Sequence, residues 1–320
     1  MLRLMSKAIS QQHLNISFSV SRTYMVRIVE APSLWMKDDE LNLFLADLRL
    51  VASAALPNAD LDYGVLGTDR SRLDRSVITL VSSKSEPVPI AFNALARMDV
   101  DLGHRSEEVL HLGLVMVDPN QRSQGLSWVL YGLTCILMLF RNGMRPVWIS
   151  NVTQVPAVVG LVATGFARVF PAPRRDQAHR RSLIHLLLAR QIMRNHRHVF
   201  GVGDEADFDE DRFIITNAYT GGSDDLKKTF QDAPKHRDEA VNFFCERELD
   251  YERGDDVLQL GQIDLSIALS YLAREVPPRS FTAVIMASMA IVLNRLALPV
   301  WHWFDGTRDL GSLRATEDKT

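Results

Sequence analysis

Val115-Met116-Val117-Asp118-Pro119-Asn120-Gln121-Arg122-Ser123-Gln124-Gly125-Leu126-Ser127-Trp128 runs from an apolar strand through a polar turn into an apolar helical stretch. Such a junction leaves several helix N-terminal amides without backbone partners, and the helix dipole adds partial positive charge there. Both suit a pyrophosphate. Gly125 and the small Ser127 let the chain come close to phosphates, and Arg122 offers a charged fork at the mouth. An ordinary strand-turn-helix with a surface arginine has the same pattern. The stretch is not a P-loop, because no Gly-Lys-Ser/Thr closes it, and a dinucleotide Gly-x-Gly-x-x-Gly is absent too.

Upstream, Tyr24 to Val29 alternates apolar and polar residues as a strand does. Asp39 to Ala54 puts Leu41, Phe44, Leu45, Leu48 and Val51 on one helical face, with Asp38 as its expected cap. Val77 to Ser82 and Val88 to Arg97 read as a hairpin around Lys84-Ser85-Glu86-Pro87, and Val109 to Val117 as the next strand of the meander. Downstream, Gly125 to Phe140 is helical and Asn142-Gly143 stops it before a short strand, Pro146 to Ser150. A helix from about Pro156 to Thr164 ends at Gly165. An antiparallel start followed by alternating strands and helices implies a mixed sheet in an α/β or α+β domain.

At 320 residues, with 47% hydrophobic content, the chain has ample material for a buried core. A formal charge of -3 gives no global pull toward nucleic acid, so no nucleic-acid partner is expected and anion binding must be local. Cys135 and Cys245 have no metal-site or disulfide spacing, so a reducing, cytoplasmic setting fits and no metal is expected. Residues 1–29 carry Arg3, Lys7, Arg22 and Arg27 and no acid, without the apolar core of a secretory signal. The expectation for 1–23 is a disordered leader, or a start at Met25.

Arg122-Ser123-Gln124-Gly125-Leu126-Ser127 resembles the phosphate loop of the GNAT superfamily of N-acyltransferases, Arg/Gln-x-x-Gly-x-Gly/Ala, with serine as the last small residue. Asn151, Ala157 and then Gly165-Phe166, eight and nine residues after that alanine, are similar to the elements that follow the loop in that family. The resemblance covers about Tyr24 to Phe170. It implies a GNAT-like central mixed sheet whose fourth and fifth strands splay apart around acyl-CoA or acetyl-CoA as co-substrate. The backbone of Val115, Met116 and Val117 would bind the pantetheine arm, Arg122 to Ser127 the pyrophosphate, and Asn151 the arm or the splayed strand end. Asn151 precedes Ala157 by six residues where three is usual, which implies a bulged or enlarged loop.

The same resemblance implies His111, eleven residues before Arg122, as general base for amine attack on the thioester. Its ordinary pKa would suit neutral pH. A hydrogen-bonded wall of the cleft is the other reading of this histidine. The family's usual proton-donating tyrosine is Leu161 here, so the acid is unassigned. Tyr131 and Cys135 read as packing residues. Tyr219, in the small polar stretch Asn217 to Ser223, is the reserve acid, although that stretch also reads as a simple turn.

Residues 174–198 hold seven arginines and four histidines against Asp176, whereas Asp204 to Asp211 has six acids in eight residues. The basic run reads as an amphipathic helix with a solvated face, neutralised by the acids or facing an acyl carrier protein or anionic lipid. Arg212 to Thr216 reads as a strand returning to the sheet. Beyond residue 224 the expectation is a mainly helical extension, 224–320, appended to a 24–223 domain, with helices Asp238 to Leu249, Val257 to Arg274 and Phe281 to Leu298. Phe281 to Leu293 is thirteen residues without a charge and reads as a buried helix. Peripheral membrane contact through 281–304, with Trp301 and Trp303 at the interface, is the alternative. A small-molecule or lipid amine is the expected acceptor. Long-chain transfer from acyl-CoA or a carrier protein, and a catalytically inactive ligand-sensing module, are the rival expectations.

Overall fold

Residues along Ser76–Ser83 and Pro89–Asp101 alternate between two apolar layers, and this places the sheet at the centre of the molecule. In the computed structural model, residues 12–57, 64–103, 106–122, 125–126, 128–173, 181–221 and 223–304 are described. β1 (Asn15–Ser19), β2 (Tyr24–Glu30), β3 (Ser76–Ser83), β4 (Pro89–Asp101) and β5 (Ser106–Val117) form an antiparallel meander. Ile78, Leu80, Phe92, Ala94 and Met116 pack beneath α1 (Asp38–Ala55). Their neighbours Val77, Val81, Ala91 and Leu95 point the other way, toward α2 (Thr134–Arg141). Period-two alternation with both faces apolar is what a covered sheet requires.

The sheet continues through β6 (Val147–Thr153), parallel to β5, then β10 (Asp256–Ile263), β9 (Ile214–Thr216) and β8 (Asp207–Asp209). β7 (Ala167–Phe170) pairs with β10 farther along its edge. The result is a ten-stranded, mostly antiparallel mixed sheet. Around it lie α3 (Pro156–Gly165), α4 (Leu183–Asn195), α5 (Glu239–Glu248), α6 (Leu265–Glu275) and α7 (Pro278–Phe304).

Three sequence expectations need correction. Asn15–Ser19 is not part of a disordered leader: it pairs with Val29 to Met25, and Leu14 and Ile16 are buried. Residues 1–11 lie outside the described residues. Asp38 does not cap α1; it is the first helical residue, and Asp38, Asp39 and Glu40 instead set negative charge against the helix N-terminus. The helix expected over Val257 to Arg274 is a strand followed by a helix, so a strand from the supposed helical extension sits inside the sheet between β6 and β9. β10 is buried on both faces, and a short apolar run of that kind has no period to separate strand from helix.

Glu30 fastens the edge of the sheet to the helices. It is buried, accepts Arg97 at 2.7 Å and Arg141 at 2.9 Å, and takes the Leu14 amide at 2.9 Å. α4 packs Leu188, Ala189, Ile192 and Met193 into the core. Its Arg190 meets Glu210 at 2.6 Å, and Arg181 meets Asp211 at 2.9 Å, so the acidic stretch does neutralise this part of the basic run. Residues 174–180 are outside the described set.

Candidate functional site

β5 and β6 pair only over Val109–His111 with Trp148–Ser150, although β5 continues to Val117 and β6 to Thr153. β6 instead completes its ladder with β10. The strands therefore part just after His111. Within β5 the register on β4 shifts between Leu95↔Leu112 and Asn93↔Val115, so Gly113 and Leu114 oppose Ala94 alone. This is a β-bulge, which bends a strand and re-aims its side chains. Gly113 is required there, because a Cβ would lie 2.5 Å from the Ala94 carbonyl oxygen. A cavity of about 220 Å³ opens in the gap, lined by Asn93, His111, Val115, Tyr131, Asn151, Tyr219 and Asp256 among others.

His111 is buried, with Nδ1 3.1 Å from Ser150 Oγ and its ring 5.1 Å from that of Phe200. Burial pushes its pKa down to about 3, so the imidazole is neutral at pH 7. The ordinary histidine value expected from sequence does not hold. The tautomer with hydrogen on Nδ1 donates to Ser150 and leaves Nε2 as an acceptor.

Tyr219 reaches the same cavity from the loop after β9 and donates its hydroxyl to Asp256 Oδ1 at 3.0 Å. The Gln154 amide satisfies its neighbours with its oxygen 2.7 Å from the Lys228 amide and 2.9 Å from Tyr219 Oη. Burial raises the Asp256 pKa to about 7, helped by Asp255 and opposed by the Tyr219 hydrogen bond. Near neutrality the pair can thus hold one more proton. Asp256 then donates to the phenol, and the phenol to Gln154 or to an incoming group.

Asn93 donates its amide to the Leu130 carbonyl, while its Oδ1 is buried and lacks a partner. Leu130 belongs to a π-helical stretch, Trp128–Leu133, that leads into α2. An orphaned buried acceptor in a cavity wall is costly unless a ligand donor meets it. Asn151, also buried, donates to Gln259 Oε1 at 3.2 Å, and Gln259 in turn donates to the carbonyls of Val159 and Pro171. Asn151 is therefore tied to β10 and α3 at the splayed end of β6.

A second cavity, of about 260 Å³, shares His111, Leu95, Gly113 and Leu114 with the first. Its other lining includes Asp69, Arg72, Arg75, Asp99, His196 and His198. Arg75 pairs with Asp99 at 2.5 Å, and His196 Nε2 donates to the Asp99 carbonyl at 3.0 Å. His111 thus forms part of the wall between two spaces. A third cavity, about 570 Å³, adjoins the first at Tyr131 and runs between α2 and α3 to His236, Arg237 and Arg274.

Of the residues singled out from sequence, His111, Tyr219, Val115, Asn151 and Tyr131 meet at one cavity. Met116 turns its side chain away into the core under α1, and Val117 packs on the opposite layer, so both are limited to backbone contact with a ligand. Arg122 is exposed, Gly125 has φ of +69°, and Leu126 is buried. Ser123, Gln124 and Ser127 lie outside the described residues. Leu161 lines the third cavity rather than the first. Cys135 is a core thiol raised by burial to about 12. Sequence reading missed Asn93, Asp256 and Gln259. A polar residue inside the apolar run Ile90–Leu95 was the available signal for Asn93.

No known protein family matches this sequence, and no characterised protein is significantly similar to it.

Proposed function

We propose that the chain is a GNAT-type N-acyltransferase that moves an acyl group from acyl-CoA to an amine in a ternary complex. The observation that carries this reading is the gap between β5 and β6, opening at the bulge beside His111, with that imidazole bordering a cavity on either side. A thioester in the first cavity and an amine in the second would meet at His111. The orphaned Asn93 Oδ1 offers an acceptor for an amide N–H, such as those of a pantetheine arm. The third cavity gives an extended arm a continuation toward Arg237 and Arg274, and Arg122 with Gly125 stands at the start of the following helix.

The amine nitrogen attacks the thioester carbonyl carbon, forming C–N and placing negative charge on oxygen. The ammonium of this adduct is more acidic than the free amine, and neutral His111 Nε2, a weak base with a pKa of about 3, relays its proton onward to water rather than keeping it. C–S cleavage then releases a thiolate, which takes a proton from Tyr219 or from water. No residue at the Leu161 position contributes.

The rival favoured by a specific observation is a ligand-sensing module, because deep burial makes His111 a weak base. Native mass spectrometry for a co-purifying CoA species, followed by thioester cleavage with mixed amines, separates the two. Bound CoA with turnover supports transfer; bound CoA without turnover across a broad amine panel assigns the module. An acyl-chain panel including carrier-protein donors addresses the long-chain variant.

A further inference from the structure

α7 is apolar on the side that faces away from the protein as well as on the side that faces in. Val284, Ala287 and Ile291 are buried, and the helix packs on α2 and β1. Ile285, Met289, Leu293, Leu296, Val300 and Phe304 follow one another at intervals of four, four, three, four and four, and are 41 to 80% exposed. This spacing keeps them on one face, in a stripe about 28 Å long at 1.5 Å per residue. A surface helix of a protein in water presents polar residues on such a face. Beside the stripe an apolar groove of about 520 Å³ lies between α6 and α7, lined by Phe140, Leu269, Phe281 and Met289 with almost no polar atoms. Unbroken exposed apolar area of this kind marks a contact surface.

Charge distinguishes the candidate occupants. From Val276 to Phe304 the only charged side chains are Arg279 and Arg295; there is no acid. Ser280 Oγ donates to the Val20 carbonyl, and Lys84 Nζ donates to the Ser21 carbonyl at 2.6 Å, which brings Arg22 and Lys84 to the start of α7. Farther along, Arg295 donates to the Arg141 carbonyl, next to the loop that carries Arg145. Arg22, Lys84, Arg145, Arg274, Arg279 and Arg295 are all exposed, against the exposed acids Glu86 and Glu275. Two copies packed through this face would set like charges together, whereas anionic headgroups complement them. Trp303 stands beside the end of the stripe, and tryptophan rings favour the membrane interface.

We propose that the outer face of α7, with the α6–α7 groove, docks on an anionic lipid bilayer, the helix lying along the surface. The contact is independent of any acyl-transfer activity. The test is flotation of the full chain with phosphatidylcholine vesicles, with and without phosphatidylglycerol, in low and high salt. The wild-type protein floats with anionic vesicles, less with neutral ones, and is released in part by salt. Met289→Asp with Leu296→Asp, at positions already open to water, lowers vesicle binding at least about tenfold without changing the melting temperature. A wild-type protein that stays in the bottom fraction overturns the proposal. So does binding indifferent to the two substitutions. Light scattering showing a stable dimer that these substitutions dissociate, without flotation, assigns the face to a second copy and overturns it equally.

Discussion

Tyr219 donates its hydroxyl to Asp256 across 3.0 Å, linking the loop after β9 to the first residue of β10 at the edge of the cavity that holds His111. If this phenol protonates the departing thiolate, its importance scales with the basicity of that thiolate. Tyr219→Phe is expected to slow transfer from acetyl-CoA at least about tenfold. Transfer from an aryl thioester, whose thiolate leaves without a proton, is expected to be nearly unaffected. Equal losses with both donors assign Tyr219 to binding.

Asp256 ties stability to pH. Its pKa is raised from 3.8 unfolded to about 7 folded, so between those values the folded state binds the extra proton. Stability is then highest at the acid end of the window and falls as pH rises toward 7, by an amount on the order of 4 kcal/mol. Asp256→Asn removes the titration, so the variant gains on the wild type between pH 4.5 and pH 8 in urea denaturation. A difference between the two proteins that stays constant with pH shows the carboxyl to be ionised throughout.

His111→Ala is expected to lower turnover at least about tenfold at pH 7 while leaving donor affinity intact. Because the imidazole is held near 3, the wild-type rate has no inflection at 6.5 from this residue. An acid limb centred at 6.5 that disappears in the variant contradicts the buried, neutral histidine. Unchanged turnover removes the residue from the reaction.

Gly113→Ala tests the bulge. The new methyl meets the Ala94 carbonyl at 2.5 Å, a backbone atom that cannot rotate aside, so the cost is about 1–3 kcal/mol. The denaturation midpoint reads it directly. Donor affinity is expected to drop as well, since the cavity opens at this bend. A variant as stable as the wild type shows that the strand relaxes more freely than its register implies.

The meander, α1, α3 and the return of β9 were legible because each carries a clear period or a turn signal. Val77 to Ser82 and Val88 to Arg97 are apolar runs parted by the turn cluster Lys84-Ser85-Glu86-Pro87, and Leu41 to Val51 repeats at helical spacing. β10 was not legible, because strand burial on both faces erases the period in Asp256–Ile263. His111 and Asn151 were placed by their distances from Arg122 and Ala157, but the environment of His111 was not: its lowered pKa comes from burial, and Phe200, far along the chain, packs its ring against the imidazole. Asp256 was invisible as a site residue for the same reason. An aspartate just before an expected helix, Val257 to Arg274, reads as a solvated residue until Tyr219 and Gln154 are brought against it.

β10 lies between β6 and β9 although every other strand of the sheet precedes it in sequence. While the polypeptide leaves the ribosome, β6 must wait with one edge bare from Thr153 until Ile263 has emerged. Over that interval Asn151 lacks Gln259, and Tyr219 lacks Asp256. A nascent or truncated chain lacking β10 therefore exposes a sticky strand edge and holds an unfinished cavity, which makes the emergence of β10 the step that assembles the site.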